Sequence, residues 1–499
     1  MKILSAKQQH ELDQLTMEKE PISSIDLMER ASVAFTEALL KHCKGVQTVA
    51  VVCGIGNNGG DGLAIARLLF SKGLSVTVYF ITLNDKVSEN VEINRKRLAE
   101  TPIQFVNVSN SSDLADIAFD EDIIVDAIFG TGLSRSAEGI AKNAILEINK
   151  SSSKVFSVDV PSGMYCDSVN QKGDTIVKAC HTLTFHAPKL AFFFSEQGKY
   201  CGEVEVLDIG LDKAAANQLE SPFTIITIEL MKSLRKKRTK FSHKGTYGHA
   251  AIVAGSYEKM GAALLSVESC LRIGTGLTTA IIPESGRLAF NARTPSAMLE
   301  FSGKKQCEEI LYNSHLTYGI GPGLGMNHQT KRAVSNFIEK ADKPLVIDAD
   351  ALNILAEDNS LLNKLPSNSI LTPHPKEFER LTKSFDDSYE RTNLQLELAK
   401  KYNVIVVLKD TCTVIAKPDG QFFINSFGSA GMAKGGSGDV LTGMITGLLA
   451  QGYSPITAAV FGVGLHALAG EVAEKEYGIE SMLPDNLVDC INEGFQRLD

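Results

Sequence analysis

"TVAVVCGIGNNGGDGLAIARLLFSKGLSVTVYFI", residues 48–81, decides how this chain is read. Its first six residues are an apolar run of strand length that ends at a glycine-rich loop. "DGLAIARLLFSKG" then places apolar residues at helical spacing and stops at Gly73. "SVTVYFI" is a second apolar run of strand length. Strand, glycine loop, helix and strand in that order make a crossover unit, so a mostly parallel sheet with helices on both faces is expected. "DIIVDAIFGTG" (122–132) and "KVFSVDVPSG" (154–163) repeat the pattern, each a strand ending in Asp before a glycine-containing loop.

The pattern breaks at residues 211–245. "LDKAAANQLESPF" is mixed and "LRKKRTK" (234–240) is basic, which predicts a solvated linker or helix end. The alternation restarts with "HAAIVAGS" (249–256) and "GAALLSVESCLRIGTGL" (261–277). "PLVIDADALN" (344–353), "NSILTPHPKEFERL" (368–381) and "NVIVVLKDTCTVIA" (403–416) follow the same grammar. The expected architecture is α/β with two domains, residues 1–220, a Rossmann-like three-layer sandwich, and residues 225–499.

A chain of 499 residues is long enough for two or three cores. Its 44% hydrophobic and 22% charged residues are the balance of a globular protein. A net charge of −9 argues against nucleic acid as a partner. Nine cysteines without a Cys-x-x-Cys pair suit reduced thiols in a cytoplasmic protein, and Cys53 and Cys412 are read as small packed residues. The polar N-terminus carries no signal-peptide pattern. Val440–Gly470 has no formally charged side chain, but Ser454 and Pro455 punctuate it as an N-cap and first helical residue. Two buried helices, not a membrane span, are expected. A homo-oligomer is expected as well.

"GIGNNGG" permits close approach of backbone to phosphate at a helix start. The usual dinucleotide fingerprint also needs an acid closing the second strand, and "VTVYFITLND" offers none before Asp85. Asn57, Asn58 and Asp61 in the loop, with Asp126 and Asp159 closing separate strands, instead form a carboxylate and amide set. Strand ends of a parallel sheet converge on one crevice, so these groups suit acid–base work on a phosphate-bearing substrate, with a monovalent cation among the oxygens.

"SSIDLMERA" (23–31), "GIGNNGGDGLAIARLL" (54–69), "DAIFGTGLSR" (126–135), "SVDVPSGM" (157–164) and "TLTFHAPKLA" (182–191) together resemble the NAD(P)H-hydrate epimerases over residues 1–212. The resemblance implies a substrate, the nicotinamide cofactor hydrated at ring carbon C6, and interconversion of its R and S forms. It also implies residue roles. Asn58, Asp126 and Ser162 would hold a potassium ion. Asn57, Asn58, Gly59, Gly60 and Asp61, with Gly130, Thr131, Gly132, Leu133, Ser134, Arg135 and Ser136, would hold the cofactor phosphates. Asp159 would face the reacting ring, and Asp159 and Asp126 are the candidate catalytic carboxylates.

In the second half, "AKGGSGDV" lacks the Gly-Lys-[Ser/Thr] ending of a Walker loop. Gly435, Gly436, Ser437 and Gly438 offer consecutive backbone N–H groups at a helix start, an anion nest, and Asp439 is the acid beside it. "SHKGTYGHAAIVAGS" (242–256), "GIGPGLG" (319–325), "VIDADALN" (346–353), "LTPHPKEFERL" (371–381) and "KGGSGDVLTGMITGLLAQG" (434–452) resemble the ADP/ATP-dependent NAD(P)H-hydrate dehydratases, of ribokinase-like fold, over residues 225–499. By that resemblance Gly323, His374, Pro375, Lys376 and Glu377 would contact the hydrated cofactor. Lys409, Asp410, Thr411, Cys412 and Thr413 would hold ADP (or ATP), with Ser429, Ala430, Gly431, Met432, Ala433 and Lys434 and the nest itself. Asp439 would stand between nucleotide and substrate, and magnesium would bridge the phosphates. The two glycine loops then belong to two active sites, whose small-molecule partners are hydrated NADH or NADPH and ADP. The alternative is a kinase for a vitamin-like alcohol carrying an N-terminal regulatory nucleotide-binding domain.

Overall fold

The computed structural model describes all residues except 84, 85 and 116, so Asp85 lies outside the described residues. The chain divides into two compact units. One holds Lys2–Ser221 with Asp387–Tyr389; the other holds Met1, Pro222–Asp386 and Glu390–Asp499.

The first unit is built on seven parallel strands, β1 (Thr48–Cys53), β2 (Ser75–Ile81), β3 (Gln104–Val108), β4 (Ile123–Ala127), β5 (Lys154–Val158), β6 (His181–Phe185) and β7 (Glu203–Leu207). They lie in the order β3-β2-β1-β4-β5-β6-β7. Helices cover both faces because the central strands are apolar on both. Val49, Val51 and Cys53 of β1 join one core with Phe35, Leu63 and Leu69. Ala50 and Val52, pointing the other way, join the opposite core with Ile124, Ile145 and Ile148. The strand order reverses between β1 and β4, where the loops leaving their carboxyl ends part to open a crevice.

The second unit carries ten strands, β8 (Phe223–Ile225), β9 (His249–Val253), β10 (Leu277–Pro283), β11 (Met298–Gly303), β12 (Thr317–Ile320), β13 (Val346–Ile347), β14 (Ile370–Leu371), β15 (Ile405–Leu408), β16 (Thr413–Ala416) and β17 (Phe422–Asn425). Their order is β11-β10-β9-β12-β13-β14-β15-β16-β17-β8. The alternating grammar fails at "NVIVVLKDTCTVIA". β15 pairs β16 antiparallel, and β16 pairs β17 antiparallel. The turn Lys409–Cys412 is far too short for a helical crossover, so the chain must double back.

From Pro222 the stretch read as a solvated linker or helix end is ordered into the second unit, and the basic run begins at a helix end, Leu234. β8 runs parallel to β17 at the sheet edge, and Met231 of the helix Ile228–Leu234 is fully buried. The basic run is also engaged. Lys236 Nζ donates to the Gly452 carbonyl at 2.6 Å, Arg235 donates to the Phe495 carbonyl at 3.3 Å, and Arg238 donates to the Gly274 carbonyl. These carbonyls lie at or near helix C-termini, where positive charge is favoured.

The uncharged segment forms two helices, Ser437–Ala450 and Pro455–Tyr477, with the Ser454 hydroxyl capping the second by accepting from Thr457 N at 3.3 Å. The second helix is long and apolar enough to cross a membrane, but Val460, Phe461, Leu465 and Leu468 are buried in the core of the unit. The first lies tightly against Met260–Arg272. A Cβ on Gly443 would come within 1.9 Å of the Ser266 carbonyl oxygen. Gly443→Ala should therefore force the two helices apart and destabilise the unit by about 1–3 kcal/mol. Denaturant unfolding followed against the parent protein checks this; an unchanged midpoint would mean the helices yield freely.

Candidate active sites

The crevice at the β1/β4 switch is a cavity of about 790 Å³. Its floor is the loop after β1, where the helix Asn57–Ser71 begins and leaves its first-turn N–H groups without intrahelical partners. Asn57, Asn58 and Asp61 line it, as do Gly130, Thr131, Gly132, Leu133, Ser134 and Arg135 of the loop after β4. Asp159 faces it from the loop after β5. Ten of the expected residues thus meet at one place.

Others do not reach the wall. Gly59 is required by packing, since a Cβ there would lie 1.8 Å from the Gly54 carbonyl oxygen, and Gly60 lies against Met28. Ser136 is turned aside to donate to Asp174 Oδ1 at 2.6 Å. Asp126 and Ser162 are wholly buried behind the cavity. Asp126 Oδ2 accepts from the Ser157 hydroxyl and from Ser162 N, both at 2.8 Å. The Ser162 hydroxyl accepts from Phe129 N at 2.8 Å, and Asn58 Nδ2 donates to the Phe129 carbonyl at 2.9 Å. Burial pushes the Asp126 carboxyl above the usual carboxylate range, and among the described residues no cationic side chain pairs with it. The Asp126 carboxylate, the Ser162 hydroxyl, the Asn58 amide and the Phe129 carbonyl make an all-oxygen donor set lacking positive charge. That set fits a hard monovalent cation.

Asp159 is held in the left-handed backbone region, φ 66°, which a non-glycine residue adopts only at some cost. Its Oδ1 accepts from the Thr184 hydroxyl at 3.0 Å, from Phe185 N at 3.1 Å and from Lys189 Nζ. Lys189 is 1% exposed and also donates to the Thr184 hydroxyl oxygen at 2.7 Å and the Ala187 carbonyl at 3.2 Å. The sequence reading quoted "TLTFHAPKLA" without giving this lysine a role. It also missed Asp13, His10 and Gln9, which reach the cavity from the helix Ala6–Lys19.

In the second unit the groups gather where the loops after β9, β12, β13, β14 and β15 meet the start of the helix Ser437–Ala450. Gly436 takes φ 109° and turns the chain into that helix. A Cβ on Gly438 would lie 3.1 Å from Lys409 Nζ and 3.8 Å from Asp348 Oδ2, which places both beside the nest. Lys409 Nζ donates to Asp348 Oδ1 at 2.7 Å, and the Thr442 hydroxyl donates to Asp348 Oδ2 at 2.6 Å. Asp348 is 1% exposed and was not foreseen, although it closes a strand as Asp126 and Asp159 do. Next to it, Asp350 Oδ2 accepts from Gly325 N at 2.8 Å and pairs with Lys259 at 3.3 Å. Asp439, the third residue of the helix, is pushed up to about 7, first by burial and then by Asp348, with Lys409 opposing. Buried His466 is driven down to about 4 by its burial, so its neutral ring donates Nε2–H to the Ser437 carbonyl at 2.9 Å and anchors the nest.

The "PHPKEFERL" segment is a helix start. His374 is the N-cap, Pro375 the first residue, and Glu377 completes a capping box by accepting from His374 N at 2.9 Å. His374 Nδ1 accepts from Lys376 N at 3.1 Å, which fixes the ring in place. Gly323 has φ 63° and lies against Lys259 and Ala262. Asp410 pairs with Arg391. Thr413 opens β16, and Cys412 is half-buried in the turn before it. Ser429 caps the short turn Ala430–Met432, whose Gly431 and Met432 pack against Met482 and Gly470. Lys434 is spent on the Met482 carbonyl at 2.7 Å, while Gly435 is exposed.

Residues 24–191 match the YjeF-related protein N-terminus family, and residues 250–493 match the family described as NAD(P)H-hydrate dehydratase. The bifunctional NAD(P)H-hydrate repair enzyme of Moorella thermoacetica is 34% identical over 100% of this chain and 97% of its own length. This chain belongs to the bifunctional NAD(P)H-hydrate repair enzyme family. A member from Thermofilum pendens is 35% identical over 100% of the chain and 97% of its own length, and one from Escherichia coli is 31% identical over 93% and 88%. The ADP/ATP-dependent NAD(P)H-hydrate dehydratase of Bacillus subtilis, crystallised with ATP and magnesium, superposes with a TM-score of 0.50 at 33% identity, covering 55% of this chain and 98% of its own. In this repair-enzyme family member, then, each family region carries its own strand-end site.

Proposed function

We propose that the first-unit cavity epimerises hydrated NADH or NADPH and that the second-unit site dehydrates the S form using ADP or ATP. The observation that carries the reading is the pairing, on one chain, of a carboxylate-lined phosphate cavity with an acid placed directly after an anion nest. In the first unit, phosphate binds the first-turn N–H groups at Asn57 and the 130–135 loop, and the ring lies toward Asp159. Loss of the C6 hydroxyl as water leaves an iminium-like cation shared with the ring nitrogen. Asp159 stabilises that charge in a site that excludes bulk water. Asn58, Asp126, Ser162 and the Phe129 carbonyl would hold potassium, which supplies a fixed positive charge beside the phosphate loops.

In the second unit, Asp439 takes the proton of the C6 hydroxyl, whose oxygen attacks the terminal phosphorus of the nucleotide. AMP leaves (ADP when ATP is used), the C6–O bond of the phosphate ester breaks with departure of inorganic phosphate, a proton passes from the neighbouring ring carbon to solvent, and the reduced cofactor is restored. Lys409, held by Asp348, points its charge at the nest where the phosphates lie. Magnesium bound with the nucleotide would supply further charge neutralisation there. The decisive experiment mixes R-form hydrate, protein, potassium, magnesium and ADP and follows recovery of the reduced-nicotinamide absorbance. Accumulation of a stable phosphorylated product instead would favour a kinase.

Asp126→Ala should lower epimerisation through the cation site, because it removes the one formal charge of the donor set. Activity recovered by raised potassium is the expected result; activity absent at every potassium concentration would make Asp126 directly catalytic. The reading extends to separable domains. A fragment ending at Ser221 should epimerise without nucleotide, and one beginning at Pro222 should dehydrate only the S form. The start at Pro222 replaces residue 225 because β8 begins at Phe223. A nucleotide requirement in the first fragment would count against two independent sites. A cytosolic location, supported by nine free cysteines, completes the proposal together with a homo-oligomer, which light scattering checks.

A further inference from the structure

We infer that Asp13, on the helix Ala6–Lys19, is the residue that moves the proton in epimerisation. The inference rests on the epimerase reading above. The helix is pinned at its start by Ser5, which forms a capping box with Gln8. Ala6, His10, Asp13 and Met17 recur at intervals of four, three and four and line the cavity, while Leu12 and Thr16 of the same helix are buried. Asp13 is thereby presented to the space that Asp61 and Asp159 face from the strand ends. Among the described residues no donor hydrogen-bonds its carboxylate, so it is available to a bound hydroxyl.

The three carboxylates differ in what holds them. Asp159 is committed to Lys189, Thr184 and the Phe185 amide. Asp61 is driven well above the usual carboxylate range by burial, then by Asp159 and Asp13. Asp13 is pushed up to about 7 by burial and by Asp159, with Lys189 opposing. A proton-transfer group works best when its pKa lies near the operating pH. The other titratable groups of the cavity are Lys7, His10, Arg135 and His186. His186 is pushed down by burial, and His10 is exposed and bonded to Gln14 at 3.1 Å.

The step balances. Protonated Asp13 gives its proton to the C6 hydroxyl, the C6–O bond breaks, and water departs with the iminium left behind. Water then adds to the opposite ring face, a C6–O bond forms, and the released proton returns to the Asp13 carboxylate. Nothing is oxidised or reduced. Asp61 lines the cavity beside the reacting ring, and Asp159 opposes the transient positive charge.

The test uses the full chain and follows R-to-S conversion directly by chromatography, without nucleotide, across a pH series. Asp13→Asn should lower kcat by about 10²–10⁴-fold with KM within about twofold, and the inflection near neutral pH should vanish. S-form dehydration by the same variant should be unchanged, and a calorimetric melt with the parent's transitions reports that the first unit is folded. Asp13→Glu should keep a measurable inflection at a shifted pH, and it carries the test alone if the Asn variant misfolds. A wild-type kcat, or a reduced kcat with the inflection in place, would overturn the assignment and leave Asp13 a positioning residue. Wild-type protein that fails to interconvert R and S forms at all would instead remove the epimerase reading itself.

Discussion

Asp439→Asn should lower S-form dehydration by about 10²–10⁴-fold, the range lost when a general base is removed. Asparagine keeps the size of the side chain in the first turn of Ser437–Ala450, whose N-cap is Gly436, so folding should persist. ADP should bind as well or slightly better, because a negative charge no longer faces its phosphates. Epimerisation should be untouched. The pH dependence has a definite sign. A base raised to about 7 is ionised above that pH and protonated below it. kcat/KM for dehydration should therefore fall as pH drops through about 7 and level off above, and this limb should be missing in whatever activity the Asn variant retains. Wild-type turnover in Asp439→Asn would leave the residue only the favourable charge of an acid in a first helical turn.

Lys189→Met should be the most damaging single change in the first unit. The ammonium is buried among Asp159, Thr184 and the 185 and 187 carbonyls. Removing it strands the Asp159 carboxylate close to Asp13 and Asp61. Breaking one side of a buried pair costs about 3–5 kcal/mol. For a unit of this size that lowers Tm by roughly 6–20 °C. Epimerisation should be lost while S-form dehydration continues. Lys189→Met with Asp159→Asn should be more stable than Lys189→Met alone, since no charge is then left uncompensated. Calorimetry of both variants checks this; equal melting of Lys189→Met and the parent would mean that Asp159 finds another partner.

The main elements were legible because their signals are local. β1, the helix Asn57–Ser71 and β2 follow directly from residues 48–81, and strands ending in Asp pointed to Asp126 and Asp159. The same rule applied to "PLVIDADALN" would have singled out Asp348. Asp13 carried a weaker signal, a four-three-four stripe that becomes meaningful only when the cavity behind it is known. Lys189 and His466 had none, since their importance comes from burial beside groups distant in the chain. Of the two readings of the 211–245 break, the helix end holds at Leu234, while the linker fails because polar composition cannot reveal that β8 finds its partner about 200 residues later. The helix start at "PHPKEFE" was readable from its His-Pro-x-Glu order, and it is compatible with the ligand contact that the family resemblance implies.

That remote partner has a consequence for biosynthesis. β8 is the first strand of its sheet to leave the ribosome, yet its strand partner is β17, the last. At about 5–20 residues per second the delay is roughly 10–40 s. During that interval the edge next to β8 stays open on the nascent chain, and a ribosome stalled before Phe422 would expose it. The sequence leaves β8 only three residues long, too short to template much aggregation while it waits.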